Sequence, residues 1–358
     1  VLLVSDGDLY FSALYLALTG LGVVVVPCPA HEANAFGRDY LVARTHPRYV
    51  VVPIDPDSEE AVVARLPNTP YGVFAGHEHS AQLADRLASL GVAALMFTSG
   101  TTGVPKGVLV THGNLIATMQ KNIDFQNLGP STVELNTLPI THSFGLGQLN
   151  ATLAAGGTTI LQPGLANLGR VFKVARHYNV TSFPTTPAGL ALLIGRYSEV
   201  FKQSFASLDN IMVNSAPLPP ALAQKVMDLL PLVNLRVYYG LTEASRSTFA
   251  DLSGADRGFL NSVGRTIGNT EIQVDPDSRE IYIKGENVSP GYFKDCSEDL
   301  LLHPKGILKT GDKGRLTDCG RLIIEGRLSD ELNIGGYKVD PLEIERLALT
   351  SAAVKQAC

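Results

Sequence analysis

A loop rich in glycine and hydroxyl groups, placed directly after a short apolar run, constrains this chain more than any other feature. The segment Phe97-Thr98-Ser99-Gly100-Thr101-Thr102-Gly103-Val104-Pro105-Lys106-Gly107 carries three glycines, four hydroxyl side chains and one lysine in eleven residues. The run Val92–Met96 before it reads as a buried strand. Glycine lets a backbone turn tightly and approach a ligand closely. Successive N–H groups in such a turn form a concave anion site, to which hydroxyls and a lysine add donors. The segment therefore predicts a phosphate-holding loop. It is not a Walker A loop, because the lysine follows Gly103 by three residues and is itself followed by Gly107 instead of Ser or Thr. A flexible linker without function is the competing reading.

With 358 residues the chain is long enough for a large core and more than one domain. A net charge of −5 gives no sign of a nucleic-acid or anionic-membrane surface. Cys28, Cys296, Cys319 and Cys358 lie far apart, without the paired spacing of zinc or redox sites, and read as reduced thiols of a cytoplasmic protein. The most membrane-like segment, Leu9–Val26, is broken at Thr19-Gly20-Leu21-Gly22. It reads as a buried helix Leu9–Leu18 stopped by Gly20, then a buried strand Val23–Val26, so no membrane span or targeting segment is expected.

Short apolar runs at Val1–Val4, Tyr49–Pro53, Ala93–Thr98, Val108–Thr111, Thr159–Leu161, Ser182–Phe183, Asn210–Val213 and Leu235–Tyr238 read as strands. Asn167–Tyr178 and Pro220–Leu230 have helical spacing, and Thr111 is a candidate cap for a helix opening at His112. Such alternation predicts an α/β fold with mostly parallel sheets between helices. After Gly264, the short alternating segments Glu271–Val274, Glu280–Lys284, Gly314–Thr317 and Arg321–Glu325, separated by turns, predict a small β-rich module over about 264–325.

Four segments carry a resemblance. Thr98–Gly107 is similar to the signature loop of the adenylate-forming superfamily of acyl- and aryl-CoA synthetases, peptide-synthetase adenylation domains and luciferases. Tyr238-Tyr239-Gly240-Leu241-Thr242-Glu243 resembles its aromatic-Gly-x-Thr-Glu motif, and Leu308-Lys309-Thr310-Gly311-Asp312 its Thr-Gly-Asp motif. Gly326-Arg327-Leu328-Ser329-Asp330, followed by Gly335-Gly336-Tyr337-Lys338-Val339, resembles its Gly-Arg hinge and the strand beyond. The resemblance implies an AMP-binding N-terminal domain over 1–328, then the hinge and opening residues of a C-terminal lid over 329–358. Pro341–Leu349 reads as a helix of that lid. It also implies sequence before Val1 and a lid lysine beyond Cys358.

The reaction implied is attack of a carboxylate on the α-phosphorus of ATP, giving an acyl-adenylate and pyrophosphate. Transfer to the thiol of coenzyme A or of a carrier-protein phosphopantetheine follows. Such chemistry relies on positioning and charge neutralisation. On this resemblance Thr98, Ser99, Gly100, Thr101, Thr102, Gly103 and Lys106 would grip phosphates. Thr242 would meet the α-phosphate, and Glu243 would ligate Mg²⁺. Tyr239, beside Tyr238 and Gly240, would stack on adenine, although a core tyrosine is the alternative. Asn214-Ser215-Ala216-Pro217 would run along the base where relatives are glycine-rich. Asp312 and Arg327 would hold the ribose, and Ser329 would be the hinge.

His142 lies in Leu138-Pro139-Ile140-Thr141-His142-Ser143-Phe144-Gly145, which is similar to the family's Pro-x-x-His-x-x-Gly segment. It would orient the substrate carboxylate, with Phe144, Gly189, Asn214 and Gly240 around the acid. No Asp lies between Leu138 and Gln148 to hold an amine, which favours an acid without an α-amino group, and a medium or bulky apolar one is expected. An amino-acid adenylation domain and a nucleotide-binding module without ligase activity remain alternatives. An α/β hydrolase is disfavoured because no Gly-x-Ser-x-Gly elbow occurs.

Overall fold

The computed structural model describes residues 1–5, 8–29, 38–53, 64–65, 71–75, 86–98, 105–254, 256–294, 300–330, 332–334, 337–339 and 348. Ser99–Val104, which make up most of the phosphate-loop motif, lie outside these residues, as do Gly335, Gly336 and all but one residue of the expected lid helix.

The first sheet has the order β2-β1-β3-β5-β4, from β1 (Leu2–Ser5), β2 (Val26–Pro29), β3 (Tyr49–Pro53), β4 (Ala64–Arg65) and β5 (Tyr71–Ala75). Helix α1 (Leu9–Gly20) starts where the Asp8 carboxylate accepts the Phe11 N–H at 2.7 Å. It runs two residues past the expected end at Leu18. Gly20 is still helical, and Gly22 is the residue that turns left-handed, at φ 73°. The following strand begins at Val26 rather than Val23, since Val25 makes only an isolated bridge to Ala94. Helix α2 spans Arg38–Thr45.

The next two strands, β6 (Val92–Thr98) and β7 (Lys106–Thr111), pair antiparallel, with Thr98 opposite Lys106. The expected parallel arrangement does not hold here, because too few residues separate the strands for a crossover. The phosphate-loop motif therefore joins two paired strands, where a Walker A loop would lead from a strand into a helix. Helix α3 (His112–Gln126) opens on Thr111, whose side chain forms a reciprocal capping box with Asn114.

The central sheet has six strands in the order β13-β12-β11-β10-β8-β9. They are β8 (Val133–Asn136), β9 (Thr158–Leu161), β10 (Ser182–Thr185), β11 (Asn210–Val213), β12 (Asn234–Leu241) and β13 (Ala244–Asp251). All pairings are parallel except β12 with β13. Helices α5 (Leu168–His177), α6 (Pro187–Ser204) and α7 (Pro220–Leu229) supply the apolar core of one face, where Phe183, Phe201 and Phe205 pack ring to ring. Truncating one such buried ring to alanine costs about 3–5 kcal/mol.

Helices α3 and α4 (Ser143–Ala154) pack together against the central sheet, and their side chains meet a buried polar network. Glu134, Ser182 and Asn210 are register partners on successive parallel strands. Gln126 and Gln148 reach them from the helices at hydrogen-bond distance. The sandwich of helices about a mostly parallel sheet is the expected one, but one of its two faces is polar.

An antiparallel sheet of order β14-β15-β18-β19 follows, from β14 (Glu271–Val274), β15 (Glu280–Lys284), β18 (Ile307–Leu316) and β19 (Leu322–Arg327). Between them β16 (Gly291–Phe293) and β17 (Leu300–Leu302) return to the β6–β7 pair, with Tyr292 opposite Val108. That part of the expected β-rich module is thus a continuation of the earlier sheet. A two-stranded ribbon, β20 (Leu332–Ile334) with β21 (Tyr337–Val339), follows. Among the described residues no helix is long and apolar enough to cross a membrane.

Candidate active site

Ligands of open α/β sheets bind beyond the carboxyl ends of the strands. A cavity of about 370 Å³ lies there. Its walls include Asn214–Pro217 after β11, Tyr238–Gly240 at the end of β12, and Asp312 and Arg327 from β18 and β19. Three motifs that lie far apart in sequence therefore meet around one space.

Asp312 and Arg327 are register partners on adjacent strands, with Nε of Arg327 3.1 Å from Oδ1 of Asp312. The Tyr239 hydroxyl donates to Oδ2 of Asp312 at 2.7 Å. Burial pushes the Asp312 carboxyl upward, while Tyr239 and Arg327 pull it back. Burial and the neighbouring Asp312 charge hold the Tyr239 hydroxyl well above its ordinary range, so it stays a donor at neutral pH. Tyr238 points the other way. Its ring is buried edge-on to Phe144 at 5.4 Å, in a cluster with Met212 and Phe249.

Asn214 donates from Nδ2 to the Tyr238 carbonyl at 2.8 Å, tying the two strand ends together. Ser215 has φ 84°, a left-handed conformation that glycine adopts freely and serine does not. This is where the resembling family is glycine-rich, and the serine adopts the glycine-like geometry.

Thr242 and Glu243 form the tight turn between β12 and β13, with Leu241 opposite Ala244. The Thr242 and Ser143 hydroxyls lie 3.5 Å apart. Ser143 is the first residue of α4, and His142 is its exposed N-cap residue. His142 thus adjoins the turn through its sequence neighbour. Glu243 accepts the Tyr292 hydroxyl at 3.0 Å, and the ammonium of exposed Lys106 lies 5.6 Å from the centroid of the same ring. Burial, then the Glu243 charge, push the Tyr292 hydroxyl strongly upward, so it too remains a donor. Tyr292 therefore links the lysine of the phosphate-loop motif to the carboxylate of the Thr-Glu turn. Sequence reading took Ser289-Pro290-Gly291 only as a turn and missed the tyrosine behind it.

Gly189, expected beside the acid, and Ser329, expected as the hinge, lie away from these contacts. Gly189 is in the first turn of α6, and its N–H donates to Thr186. A Cβ there would meet Thr185 and Leu165, so its smallness serves packing of the helix against β10. Ser329 lies in a single 3₁₀ turn, Leu328–Asp330, directly after β19.

Arg246 is the other residue that the sequence did not reveal. It sits on β13, where the pairing with β12 is irregular between Tyr239 and Leu241, and its φ is 55°. A bulge of this kind re-aims a side chain. Its guanidinium is turned inward at 1% exposure, 5.0 Å from the Tyr238 ring centroid. A Cβ at Gly240 would stand 2.5 Å from the Arg246 nitrogen, and one at Gly147 would collide with the guanidinium. Only an intervening Gln148 separates Arg246 from Glu134 (Nη2 to Oε1 3.4 Å, then Nε2 to Glu134 Oε2 3.3 Å). Burial pushes the Glu134 carboxyl up to about 7, opposed by the Thr152 hydroxyl and the Arg246 charge.

Among the described residues no group of three or more His, Cys, Asp or Glu could hold a metal. Magnesium binds through one or two carboxylates with substrate phosphates and water. Glu243 beside Thr242 offers the oxygen donors it prefers.

The chain is 32% identical over 287 residues to 4-coumarate–CoA ligase 3 of Oryza sativa subsp. japonica, covering 74% of this chain and 51% of that protein. It is 30% identical over 380 residues to 4-coumarate–CoA ligase-like 9 of Arabidopsis thaliana, covering 96% and 65%. It thus spans about half to two-thirds of the length of the curated relatives it matches. Its fold is shared with ATP-bound MatB from Rhodopseudomonas palustris, at TM-score 0.76 and 23% identity over 99% of this chain and 74% of that one. It is shared too with the o-succinylbenzoate coenzyme A synthetase MenE of Bacillus subtilis in complex with ATP and magnesium ion, at TM-score 0.72 and 24% identity over 99% and 75%. The family model described as AMP-binding enzyme matches residues 1–293, and the chain belongs to that family.

Proposed function

We propose that this chain is the nucleotide- and acid-binding part of an acid–thiol ligase. A carboxylate oxygen attacks the α-phosphorus of ATP, the bond to the β-phosphate breaks, and pyrophosphate leaves. A thiolate of coenzyme A or of a carrier-protein phosphopantetheine then attacks the acyl carbon, and AMP departs with the electrons of its C–O bond. The observation that carries this reading is the convergence of Asn214–Pro217, Tyr238–Gly240, Asp312 and Arg327 on one cavity.

In that cavity the Asp312 carboxylate, already oriented by Tyr239 and Arg327, accepts the ribose hydroxyls. Asn214–Pro217 border the base together with the backbone of Tyr239 and Gly240. Lys106 and the hydroxyls of the phosphate loop neutralise the departing pyrophosphate. Thr242 stands where the α-phosphate and the acid meet, and His142 flanks that point. Glu243 would hold magnesium, which would lower the charge repulsion between ATP and the incoming carboxylate. Ser329 is the hinge between residues 1–328 and a lid.

The acid lacks an α-amino group. No Asp or Glu lies between Leu138 and Gln148, and the buried Arg246 guanidinium would repel an ammonium. ATP–pyrophosphate exchange tests the reading. With the correct acid, labelled pyrophosphate must enter ATP in an acid-dependent way. Calorimetric binding of ATP and Mg²⁺ without exchange for any acid would leave a nucleotide-binding module. A tenfold preference for α-amino acids over their deaminated analogues would point to an amino-acid adenylation domain.

A further inference from the structure

We infer that Arg246 sets the acid specificity of this site and that the acid it selects carries a second carboxylate. The inference rests on the ligase reading above and names its substrate class.

The Arg246 guanidinium is buried but meets only neutral acceptors. Nη1 donates to the Ser245 hydroxyl at 2.9 Å and to the Ser143 carbonyl at 3.5 Å. Nη2 donates to the Phe144 carbonyl and to Gln148 Oε1, each at 3.4 Å. Nε has no partner although it is fully buried. No carboxylate of a described residue comes within 4.0 Å of it. Glu134, the buried acid beyond Gln148, gives Oε2 to Gln148 and Thr152 and leaves Oε1 without a partner. Arginine is almost never fully buried unless paired, because the desolvation of its charge goes uncompensated. Of its five N–H donors only that on Nε lacks an acceptor, and three of the four Nη contacts are long, at 3.4–3.5 Å, so a carboxylate could take the place of these weak acceptors and pair with the charge.

The space beside it has the matching size. A second cavity, about 30 Å³, is lined by Thr242, Ser245 and Arg246 and by the apolar Met96, Val110 and Leu146, among others. One water needs about 10–15 Å³ of such space, so there is room for about two oxygen-sized groups. Gly240 and Leu241 line the nucleotide cavity and Thr242 lines this one. The two spaces thus flank one strand end. An acid with one carboxylate at Thr242 would place a second, a few bonds away, against Arg246. The medium or bulky apolar tail expected from sequence finds no room in this space.

The test is pyrophosphate release by the full-length wild-type protein with acids matched in carbon number, butyrate against succinate and pentanoate against glutarate. The expected result is a kcat/KM at least tenfold higher for the diacid of a pair. Arg246→Met is expected to remove that preference by losing diacid turnover, and Arg246→Lys to keep part of it, while calorimetry shows unchanged ATP affinity. Equal or better turnover of the monoacids by wild type overturns the inference and leaves the ligase reading standing. So does an Arg246→Met variant that slows both acids of a pair by the same factor, since Arg246 would then only brace Ser143 and Phe144. No pyrophosphate with any of these four acids also overturns the inference, whereas the ligase reading falls only if no acid of a wide panel supports ATP–pyrophosphate exchange. If Arg246→Met does not fold, the wild-type comparison decides alone.

Discussion

Glu134→Gln should make this protein more stable at neutral and alkaline pH. Glu134 is on β8 at 0% exposure, in the polar face between the central sheet and α3–α4. Burial raises its carboxyl from 4.5 to about 7, so the folded state holds a proton that the unfolded chain releases. The stabilisation from that proton is complete below about pH 4.5 and is lost as pH rises through about 7. A difference of about 2.5 pH units, at about 1.36 kcal/mol each, amounts to roughly 3 kcal/mol. Most of it, about 2.5 kcal/mol, falls between about pH 5 and about pH 8. Glutamine has the shape of the protonated acid and no charge to ionise, and it can still accept from Gln148 and Thr152 through one oxygen. Urea unfolding of wild type and variant at several pH values measures the effect. Other groups also titrate over this range, so the difference between the two proteins isolates Glu134. Near-equal stability is expected at about pH 5, and an advantage of about 2 kcal/mol or more for the variant at about pH 8. Parallel pH profiles would refute the reasoning, as would a variant weaker at high pH than at low. Either would mean that Glu134 is ionised when folded and pairs with Arg246 across Gln148.

Glu243→Gln keeps size and removes charge, so acid-dependent pyrophosphate exchange at limiting Mg²⁺ should fall at least about tenfold, or about 1.4 kcal/mol, with partial recovery at high Mg²⁺. Tyr292→Phe keeps the ring beneath Lys106 and deletes the hydroxyl that Glu243 accepts. Losing a hydrogen bond to a half-exposed carboxylate is worth about 1 kcal/mol, and an Mg²⁺ titration of the exchange rate should shift several-fold to higher metal. Ser215→Gly relieves a left-handed serine at φ 84° and should raise stability by about 0.5–1 kcal/mol, read as a higher unfolding midpoint.

The local signals were sound where the physics is local. Tyr49–Pro53, Asn210–Val213, Glu271–Val274 and Glu280–Lys284 form strands over the predicted bounds, because a bounded apolar or alternating run leaves few other ways to bury its side chains. Thr111 caps α3, since a threonine hydroxyl needs only its own next turn. The motifs named in advance several residues that line one cavity, among them Asn214 just after β11, Tyr239 near the end of β12 and Asp312 within β18.

What sequence left open depends on pairings between distant strands. That β6 and β7 lie antiparallel, that β16 returns to them, and that Tyr292 thereby joins Lys106 to Glu243 are facts of sheet assembly with no local signature. Which side chains crowd Gly189 was likewise not legible locally: a Cβ there would meet Thr185 and Leu165, brought together by the packing of α6. Arg246 follows Glu243 by three residues in a strand that sequence alone leaves ambiguous. Only the irregular pairing with β12 turns its side chain inward, between α4 and Tyr238. The sequence by itself determined the α/β class and marked Asn214–Pro217, Tyr239, Asp312 and Arg327, which line one cavity, through short-range periodicity and motif chemistry. The tertiary structure decided which charges are buried, Glu134 and Arg246 among them, since burial is a property of what packs around a side chain and not of the side chain itself.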